Sequence, residues 1–155
     1  MSQSKGKSTE FSGNSRSCIR LLIADDQPRV RQSLKALLTA LRWSTPSRTE
    51  LLIEIVGEAD DGQHAVEQVQ ALCPDAVVLD FPNHDQAKRT ITSGSKLDGL
   101  ATIRTIKHRW PTVRIVVLTM YATDRSAALL AGADAFLLKG CATSELLDAV
   151  MPAAS

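Results

Sequence analysis

Five side chains that could do chemistry each stand at the end of a short apolar run. Asp25 and Asp26 follow LLIA, and Asp80 follows AVVL. Thr119 ends RIVVLT, and Lys139 follows AFLL. Two adjacent carboxylates at the rim of a core cost desolvation energy unless a cation or hydrogen bonds compensate them. The acid pair is therefore either an ordinary helix-capping turn or half of a metal site.

Taken together, three carboxylates, a hydroxyl and an amine could carry out phosphoryl transfer. Three carboxylates lying close together cannot all stay ionised alone, and a hard divalent cation such as Mg²⁺ prefers oxygen ligands. Asp25 and Asp26 are the pair suited to the metal. Asp80 could then attack a phosphoryl group and form an aspartyl-phosphate. Lys139 would neutralise the phosphoryl oxygens, and Thr119 could donate a hydrogen bond to one of them.

Alternating apolar runs and amphipathic segments predict the fold that would bring these side chains together. Predicted strands cover residues 18–24, 51–59, 76–80, 114–119 and 135–139. Helical spacing of apolar residues predicts helices at 28–43, 65–72, 100–106, 123–132 (ending at Gly132) and 144–151, with Thr143 or Ser144 as the last cap. Five strands alternating with five helices predict a doubly wound α/β domain, a three-layer sandwich around a parallel sheet. The carboxyl ends of its strands form one edge, where such sheets place their ligand crevice.

Length and composition indicate one soluble domain with polar ends. The 155 residues carry a formal net charge of +1, which gives no electrostatic argument for binding nucleic acid or a membrane. We expect a disordered polar tail at 1–17, the domain at 18–151, and a C-terminal tail or the start of a linker at 152–155. No apolar run approaches the roughly 20 residues of a membrane span. The cysteines are widely spaced and suit a reducing cytoplasm.

The segments LLIADDQP, AVVLD, IVVLTMYA and AFLLKG resemble the receiver domain of two-component response regulators, over about residues 19–151. The amino-acid sequences of these segments are most similar to those of receiver domains that precede helix-turn-helix DNA-binding output domains. The resemblance implies a flavodoxin-like, five-stranded parallel sheet of order 2-1-3-4-5 with five helices. It also implies that Asp80 accepts a phosphoryl group from a sensor histidine kinase or a phosphotransfer protein. Contact with DNA would occur only through an output domain absent from this chain, and homodimerisation is left open.

The resemblance also assigns roles to individual residues of the site. Mg²⁺ or Mn²⁺ would be held by four oxygen ligands: the carboxylates of Asp25, Asp26 and Asp80 and the backbone carbonyl of Pro82. Thr119 and Lys139 would contact the phosphoryl group. Phe136, three residues before Lys139, would rotate inward as Thr119 moves, in a population shift driven by the new dianionic group.

Two segments depart from the family's pattern. The usual Met-Pro after the phosphorylated aspartate is replaced by Phe81-Pro82-Asn83, and an insertion of roughly ten residues lengthens the loop at 82–97. This loop is either a solvated connection or a partner-docking or lid element that carries Lys88 and Arg89. A shorter insertion at 42–50 is interpreted as a longer turn.

These features favour a phosphorylation-controlled signalling module over a turnover enzyme, with catalysis limited to part of its own phosphorylation and dephosphorylation. The alternative is a degenerate receiver that acts as a constitutive protein-interaction module. The intact set of five residues argues against it, and the insertion next to Asp80 argues mildly for it. A phosphatase with an aspartyl nucleophile would resemble D-x-D motifs, whereas the paired aspartates here lie on a different strand from Asp80.

Pro82 generates a testable expectation, because its ring cannot hydrogen-bond an attacking water. We expect the phosphorylated protein to lose its phosphoryl group slowly, and Pro82→Asn to shorten its half-life severalfold. The half-life is measured by following intact mass after removal of the phosphodonor. Pro82→Ala, which removes the ring without adding an amide, is the control. A wild-type rate in Pro82→Asn would contradict the expectation.

Overall fold

Six strands and five α-helices form the part of the chain that this computed structural model describes, residues 17–40, 43–44, 50–80 and 99–151. The strands are β1 (Ser17–Ala24), β2 (Trp43–Ser44), β3 (Glu50–Ala59), β4 (Ala76–Leu79), β5 (Arg114–Thr119) and β6 (Ala135–Leu138). The helices are α1 (Pro28–Ala40), α2 (Gly62–Leu72), α3 (Gly99–Arg109), α4 (Arg125–Ala131) and α5 (Thr143–Val150), with a 3₁₀ turn at Ala122–Asp124. Residues 1–16, the loop at 82–97 and residues 152–155 lie outside the described residues.

The strands form one sheet in the order β2-β3-β1-β4-β5-β6. Every neighbouring pair among β3, β1, β4, β5 and β6 is parallel. Numbered along the chain, these five parallel strands have the order 2-1-3-4-5, so the predicted flavodoxin-like arrangement is confirmed. The strand that precedes Asp80, β4, lies in the middle of the five.

The stretch between α1 and β3 differs from the prediction of a longer turn. It contains β2, which pairs antiparallel with β3, Trp43 opposite Leu51 and Ser44 opposite Glu50. Helix α1 accordingly ends at Ala40 and does not continue to Trp43. The outer edge of β3 would otherwise present unpaired backbone groups, and a returning strand satisfies two residues of that edge. The sheet is therefore six-stranded, with a short antiparallel strand added to the five parallel ones.

The start of the last helix also differs from prediction. The N-cap of α5 is Ala142, which makes no side-chain cap hydrogen bond, so neither Thr143 nor Ser144 caps the helix. The backbone is extended at Ala142 (φ −61°, ψ 141°) and turns helical at Thr143. Hydroxyl side chains favour the cap position, but here the chain path after β6 places the helix boundary one residue earlier.

Two hydrophobic layers cover the two faces of the sheet. Leu22, Val77 and Val117 pack with buried residues of α2, α3 and α4 in one cluster. Their neighbours in the strands point the other way and pack with buried residues of α1 and α5 in a second cluster. Alternate side chains of a strand point to opposite faces, so a sheet covered on both sides needs continuously apolar strands. Within the described residues, no helix is both long and apolar enough to cross a membrane.

Two helix ends follow local sequence rules. Asp61 is the N-cap of α2, and its side chain accepts a hydrogen bond from the His64 N–H at 2.7 Å. Helix α4 ends before Gly132, as predicted, and this glycine has a φ of +116°, a conformation that side chains with a Cβ rarely adopt. Asp61 thus marks where the chain enters α2 after β3, and Gly132 marks where it leaves α4 toward β6.

The Asp61 cap gives a prediction about stability. Asp61→Ala should lower the free energy of unfolding by about 1 kcal/mol, because an N–H of the first turn of α2 loses its acceptor. Asp61→Asn keeps an acceptor oxygen and should stay close to wild type. Urea unfolding followed by circular dichroism measures both variants, and equal stability of Asp61→Ala and wild type would rule out the cap contribution.

Candidate functional site

Backbone hydrogen bonds carry the sheet past the ends of its strands and fix the residues that follow. The Asp25 N–H donates to the Ala59 carbonyl at 3.0 Å, and the Asp80 N–H donates to the Ala24 carbonyl at 2.9 Å. The Lys139 N–H donates to the Thr119 carbonyl at 2.7 Å. These hydrogen bonds extend the parallel pairing by one residue beyond β1, β4 and β6, and they restrain the backbone of Asp25, Asp80 and Lys139. The carboxyl edge of the sheet thus presents the predicted acids, hydroxyl and amine on fixed backbone.

The ammonium group of Lys139 joins two of the predicted acids. Its Nζ lies 2.8 Å from Asp80 Oδ2 and 3.4 Å from Asp25 Oδ2. Asp25 is almost completely buried, while Lys139 and Asp80 are partly exposed. Charge-assisted hydrogen bonds of this kind are stronger than neutral ones. Lys139 therefore orients the Asp80 carboxylate and reduces its repulsion from Asp25.

The three carboxylates lie close enough to share one cation. Ligand oxygens of Asp25, Asp26 and Asp80 all lie within 4.8 Å of one another. Asp25 is buried, Asp80 is partly exposed and Asp26 is exposed, so the cluster is shielded from solvent on its inner side and open to water on its outer side. Such an all-oxygen set fits Mg²⁺, which keeps several of its waters and takes only a few carboxylates from the protein.

Asp25 combines the two roles that the sequence left open for the acid pair. Its Oδ1 accepts a hydrogen bond from the Gln27 N–H at 2.8 Å, which forms the turn that leads into α1. Its Oδ2 faces Lys139 and the other carboxylates. One oxygen therefore shapes the turn while the other contributes to the acidic cluster.

Burial and charge shift the protonation of the cluster. Burial of Asp80, followed by the negative charge of Asp25, raises the pKa of Asp80 to about 6, although the hydrogen bond from Lys139 opposes this shift. Burial and the neighbouring Asp25 also raise the pKa of Asp26. Burial lowers the pKa of Lys139, but the contacts with Asp80 and Asp25 outweigh it, so the pKa of Lys139 is raised. The acids thus repel each other at neutral pH, and a bound cation would relieve that repulsion.

Thr119 and Phe136 lie on the same face of two paired strands. Thr119 is fully buried, and its hydroxyl accepts a long hydrogen bond of 3.4 Å from the Tyr121 N–H. Phe136 is buried in the cluster that faces α2, α3 and α4, and it pairs with Val117, two residues before Thr119. The structure therefore brings Thr119, Lys139 and the three acids to one edge and places Phe136 behind them in the core. Pro82 lies outside the described residues.

Sequence reasoning missed one residue that contacts the site, Arg31 of α1. Its guanidinium donates a hydrogen bond to the backbone carbonyl of Asp25 at 2.6 Å. A signal for it was present, since the first four residues of α1 include Arg29 and Arg31 and no acidic residue. Cations are disfavoured near a helix N-terminus, so basic residues there indicate an acceptor or anion close by.

Comparison with known proteins identifies the family. The family model of the response regulator receiver domain matches residues 21–151. This chain therefore belongs to the receiver domains of two-component response regulators, as the sequence motifs indicated.

Among its curated relatives, the chain is similar to the response regulator protein VraR of Staphylococcus saprophyticus. The two are 28% identical over 134 residues, which cover 85% of this chain and 54% of VraR. The VraR protein of Staphylococcus epidermidis is 29% identical over the same length. The chain thus spans about half the length of the curated relatives it matches.

Solved structures support the same family and fold. The isolated receiver domain of RcsB from Salmonella enterica serovar Typhimurium, determined with the phosphomimetic BeF₃⁻, is 26% identical with a TM-score of 0.66, and the match covers 86% of each chain. The response regulator domain of Thermotoga maritima CheB is 25% identical with a TM-score of 0.63, over 86% of this chain and 94% of that one.

The raised pKa of Asp80 predicts that replacing this residue with asparagine increases the free energy of unfolding at neutral pH. The folded state holds the Asp80 proton up to about pH 6, and the ordinary value is 3.8. The folded protein therefore binds more protons than the unfolded protein between these values, and the destabilisation grows as pH rises through this window. With chelator at pH 7, Asp80→Asn should raise the free energy of unfolding by roughly 1–2 kcal/mol, allowing for solvent screening of a partly exposed group.

Urea unfolding at pH 7 and at pH 4 tests this expectation. The gain in Asp80→Asn should be largest at pH 7 and should shrink toward pH 4. Asp148→Asn, at an exposed position of α5, is the matched control and should change stability little at either pH. A destabilised Asp80→Asn at pH 7 would show that the Lys139 contact outweighs the repulsion.

Proposed function

We propose that this receiver domain accepts a phosphoryl group on Asp80, from a sensor histidine kinase or a phosphotransfer protein, in a reaction that depends on Mg²⁺ or Mn²⁺. The observation that carries the proposal is the convergence at Asp80. Its carboxylate is bound by Lys139 at 2.8 Å and lies within 4.8 Å of two further carboxylates. An ion pair with a purely structural role would need only one acid beside Lys139. A phosphoacceptor that depends on a bound cation needs the three carboxylates as well as the lysine.

The cation would be held by the carboxylates of Asp25, Asp26 and Asp80 together with the backbone carbonyl of Pro82. When bound, it would supply positive charge that screens the acids and the incoming phosphoryl oxygens. The open side of the cluster, at exposed Asp26, leaves room for the waters that Mg²⁺ retains.

Asp80 would act as the nucleophile. Its pKa of about 6 leaves the carboxylate mostly ionised at neutral pH and more basic than an ordinary aspartate. An oxygen of Asp80 would form the new bond to phosphorus while the bond to the donor's leaving nitrogen or oxygen breaks. Lys139 would then bind a phosphoryl oxygen and so stabilise charge that it already faces in the free protein.

Phosphorylation would reach a binding surface through Thr119 and Phe136. The Thr119 hydroxyl accepts a long hydrogen bond of 3.4 Å from the Tyr121 N–H, and it could donate its own proton to a phosphoryl oxygen on Asp80. Movement of Thr119 would alter the space available to Phe136 on the same face of β5 and β6. The exposed side chains next to these strands, Met120, Tyr121 and Leu138, would pass the change to a partner or to an output domain.

The proposed setting is a cytoplasmic phosphorelay in which the domain acts as a switch and catalyses only its own phosphorylation and dephosphorylation. DNA binding would belong to an output domain of a longer protein. The alternative of a constitutive interaction module is less favoured, because such a module would not need acids that raise one another's pKa and lower stability.

Intact mass measurement tests the proposal. After incubation with Mg²⁺ and acetyl phosphate, wild type should gain one phosphoryl group. Asp80→Asn should gain none, since the nucleophile is absent, and chelator should abolish the gain in wild type. Asp148→Asn, away from the site, should behave as wild type. A gain retained in Asp80→Asn, or no gain from either acetyl phosphate or a histidine-phosphorylated phosphotransfer protein, would contradict the proposal.

A further inference from the structure

Arg31 is a half-buried cation that contacts the acid pair without pairing with its carboxylates. The Arg31 side chain is 16% exposed, and one terminal nitrogen donates to the Asp25 carbonyl at 2.6 Å. Its Nε lies 3.6 Å from Glu58 Oε1 of β3. This Nε is shielded from solvent and has no hydrogen-bond partner among the described residues. An arginine held in this way loses hydration that its contacts with Asp25 and Glu58 only partly replace.

The carbonyl that Arg31 binds belongs to the peptide joining Asp25 to Asp26. On the other side of Asp25, the N–H donates to Ala59, and the side chain is held by Gln27 and Lys139. The bond from Arg31 thus completes the set that fixes Asp25. It also holds the plane of the following peptide, which contains the N and Cα atoms of Asp26, and so constrains where the exposed Asp26 side chain begins.

Glu58 connects this arrangement to the sheet. Glu58 pairs with Ile23 in the β1–β3 ladder, and the next pair is Ala24 with Ala59. Arg31 lies in the first turns of α1, where its N–H donates to the Gln27 carbonyl at 3.2 Å. One guanidinium therefore links β3, the turn after β1 and the start of α1, the three segments that surround the acid pair.

From these contacts we propose that Arg31, anchored by Glu58, is a positioning residue for the divalent-cation site, holding Asp25 and Asp26 in the orientation that binds the ion. The inference rests on the proposed function, because it concerns the cation of that site. Lys139 occupies carboxylate oxygens, whereas Arg31 binds a carbonyl and leaves the carboxylates available to the cation. Residues that orient ligands in this way typically change metal affinity by about 10- to 100-fold.

Whether replacement of Arg31 weakens or tightens Mg²⁺ binding distinguishes a positioning role from a purely electrostatic effect of its charge. Arg31 carries a positive charge close to a cation site, so its charge alone would weaken Mg²⁺ binding, and its removal would tighten binding. Positioning requires the opposite result. Arg31→Met, which keeps much of the apolar stem and removes both contacts, should weaken Mg²⁺ binding about tenfold. Arg29→Met removes the same charge from an exposed position of the same helix turn, and should leave the affinity unchanged or slightly tighter.

Isothermal titration calorimetry with Mg²⁺, on protein kept well below its unfolding temperature, gives the dissociation constants, and urea unfolding in chelator gives the stabilities. A merely structural role would lower stability without changing the affinity of the folded protein. Arg31→Lys can reach the Asp25 carbonyl with one donor and should recover part of the affinity. Glu58→Gln should weaken binding severalfold, and the double variant Arg31→Met/Glu58→Gln should be no worse than Arg31→Met alone, because both changes remove one link.

The outcomes distinguish this inference from the function on which it rests. If wild type does not bind Mg²⁺, the cation requirement of the proposed function is wrong. If wild type binds and Arg31→Met binds equally well or more tightly, only the positioning role is wrong. Should Arg31→Met fail to fold, Arg31→Lys and Glu58→Gln decide the matter in the same way, since both must weaken binding if Arg31 positions the acids.

Discussion

Repulsion among three carboxylates at one edge of a parallel sheet is the constraint to which the rest of this domain is adapted. Asp25, Asp26 and Asp80 lie within reach of a single ion, and burial next to Asp25 raises the pKa of Asp80 to about 6. Such a cluster opposes folding unless positive charge and hydrogen bonds hold it. Lys139 supplies the charge directly, and backbone hydrogen bonds beyond the strand ends keep the acids from moving apart. A bound cation would relieve the repulsion that these contacts leave.

The two cations beside the acids act in different ways. Lys139 contacts carboxylate oxygens of Asp80 and Asp25, the atoms that the proposed chemistry uses, so its interactions must change when a phosphoryl group arrives. Arg31 contacts the backbone carbonyl of Asp25 and the carboxylate of Glu58, neither of which the proposed chemistry uses, so it can keep both contacts throughout. One cation is thus suited to respond to the reaction and the other to hold the geometry in which it occurs. A flexible point charge fits the first role and a planar guanidinium with several donors fits the second.

The packing of the domain explains why a change at this edge can reach a surface. Layers of helices cover both faces of the sheet, so the middle strands have no freedom to shift as a whole. Among the described residues close to the site, Met120 and Tyr121 after Thr119 and Leu138 at the end of β6 are exposed large side chains. A new charged group at Asp80 would therefore be accommodated at these positions before the core is disturbed. That would be the physical basis of the proposed coupling between the buried Thr119 hydroxyl and an external contact.

The sequence by itself predicted the type and number of the parallel strands, because continuous apolar runs alternate with segments of helical periodicity, whereas their order in the sheet came from the resemblance to receiver domains. It also placed Asp25, Asp26, Asp80, Thr119 and Lys139 at one edge, since parallel strands end on the same side. Only the tertiary structure decided what depends on contacts between distant segments. Strand β2 forms because the edge of β3 needs a partner, and the last helix starts where the chain path allows, not where a hydroxyl could cap it. The basic start of α1 indicates a nearby acceptor, but only the meeting of α1 and β3 beside the acid pair shows that Arg31 contacts the Asp25 carbonyl and Glu58.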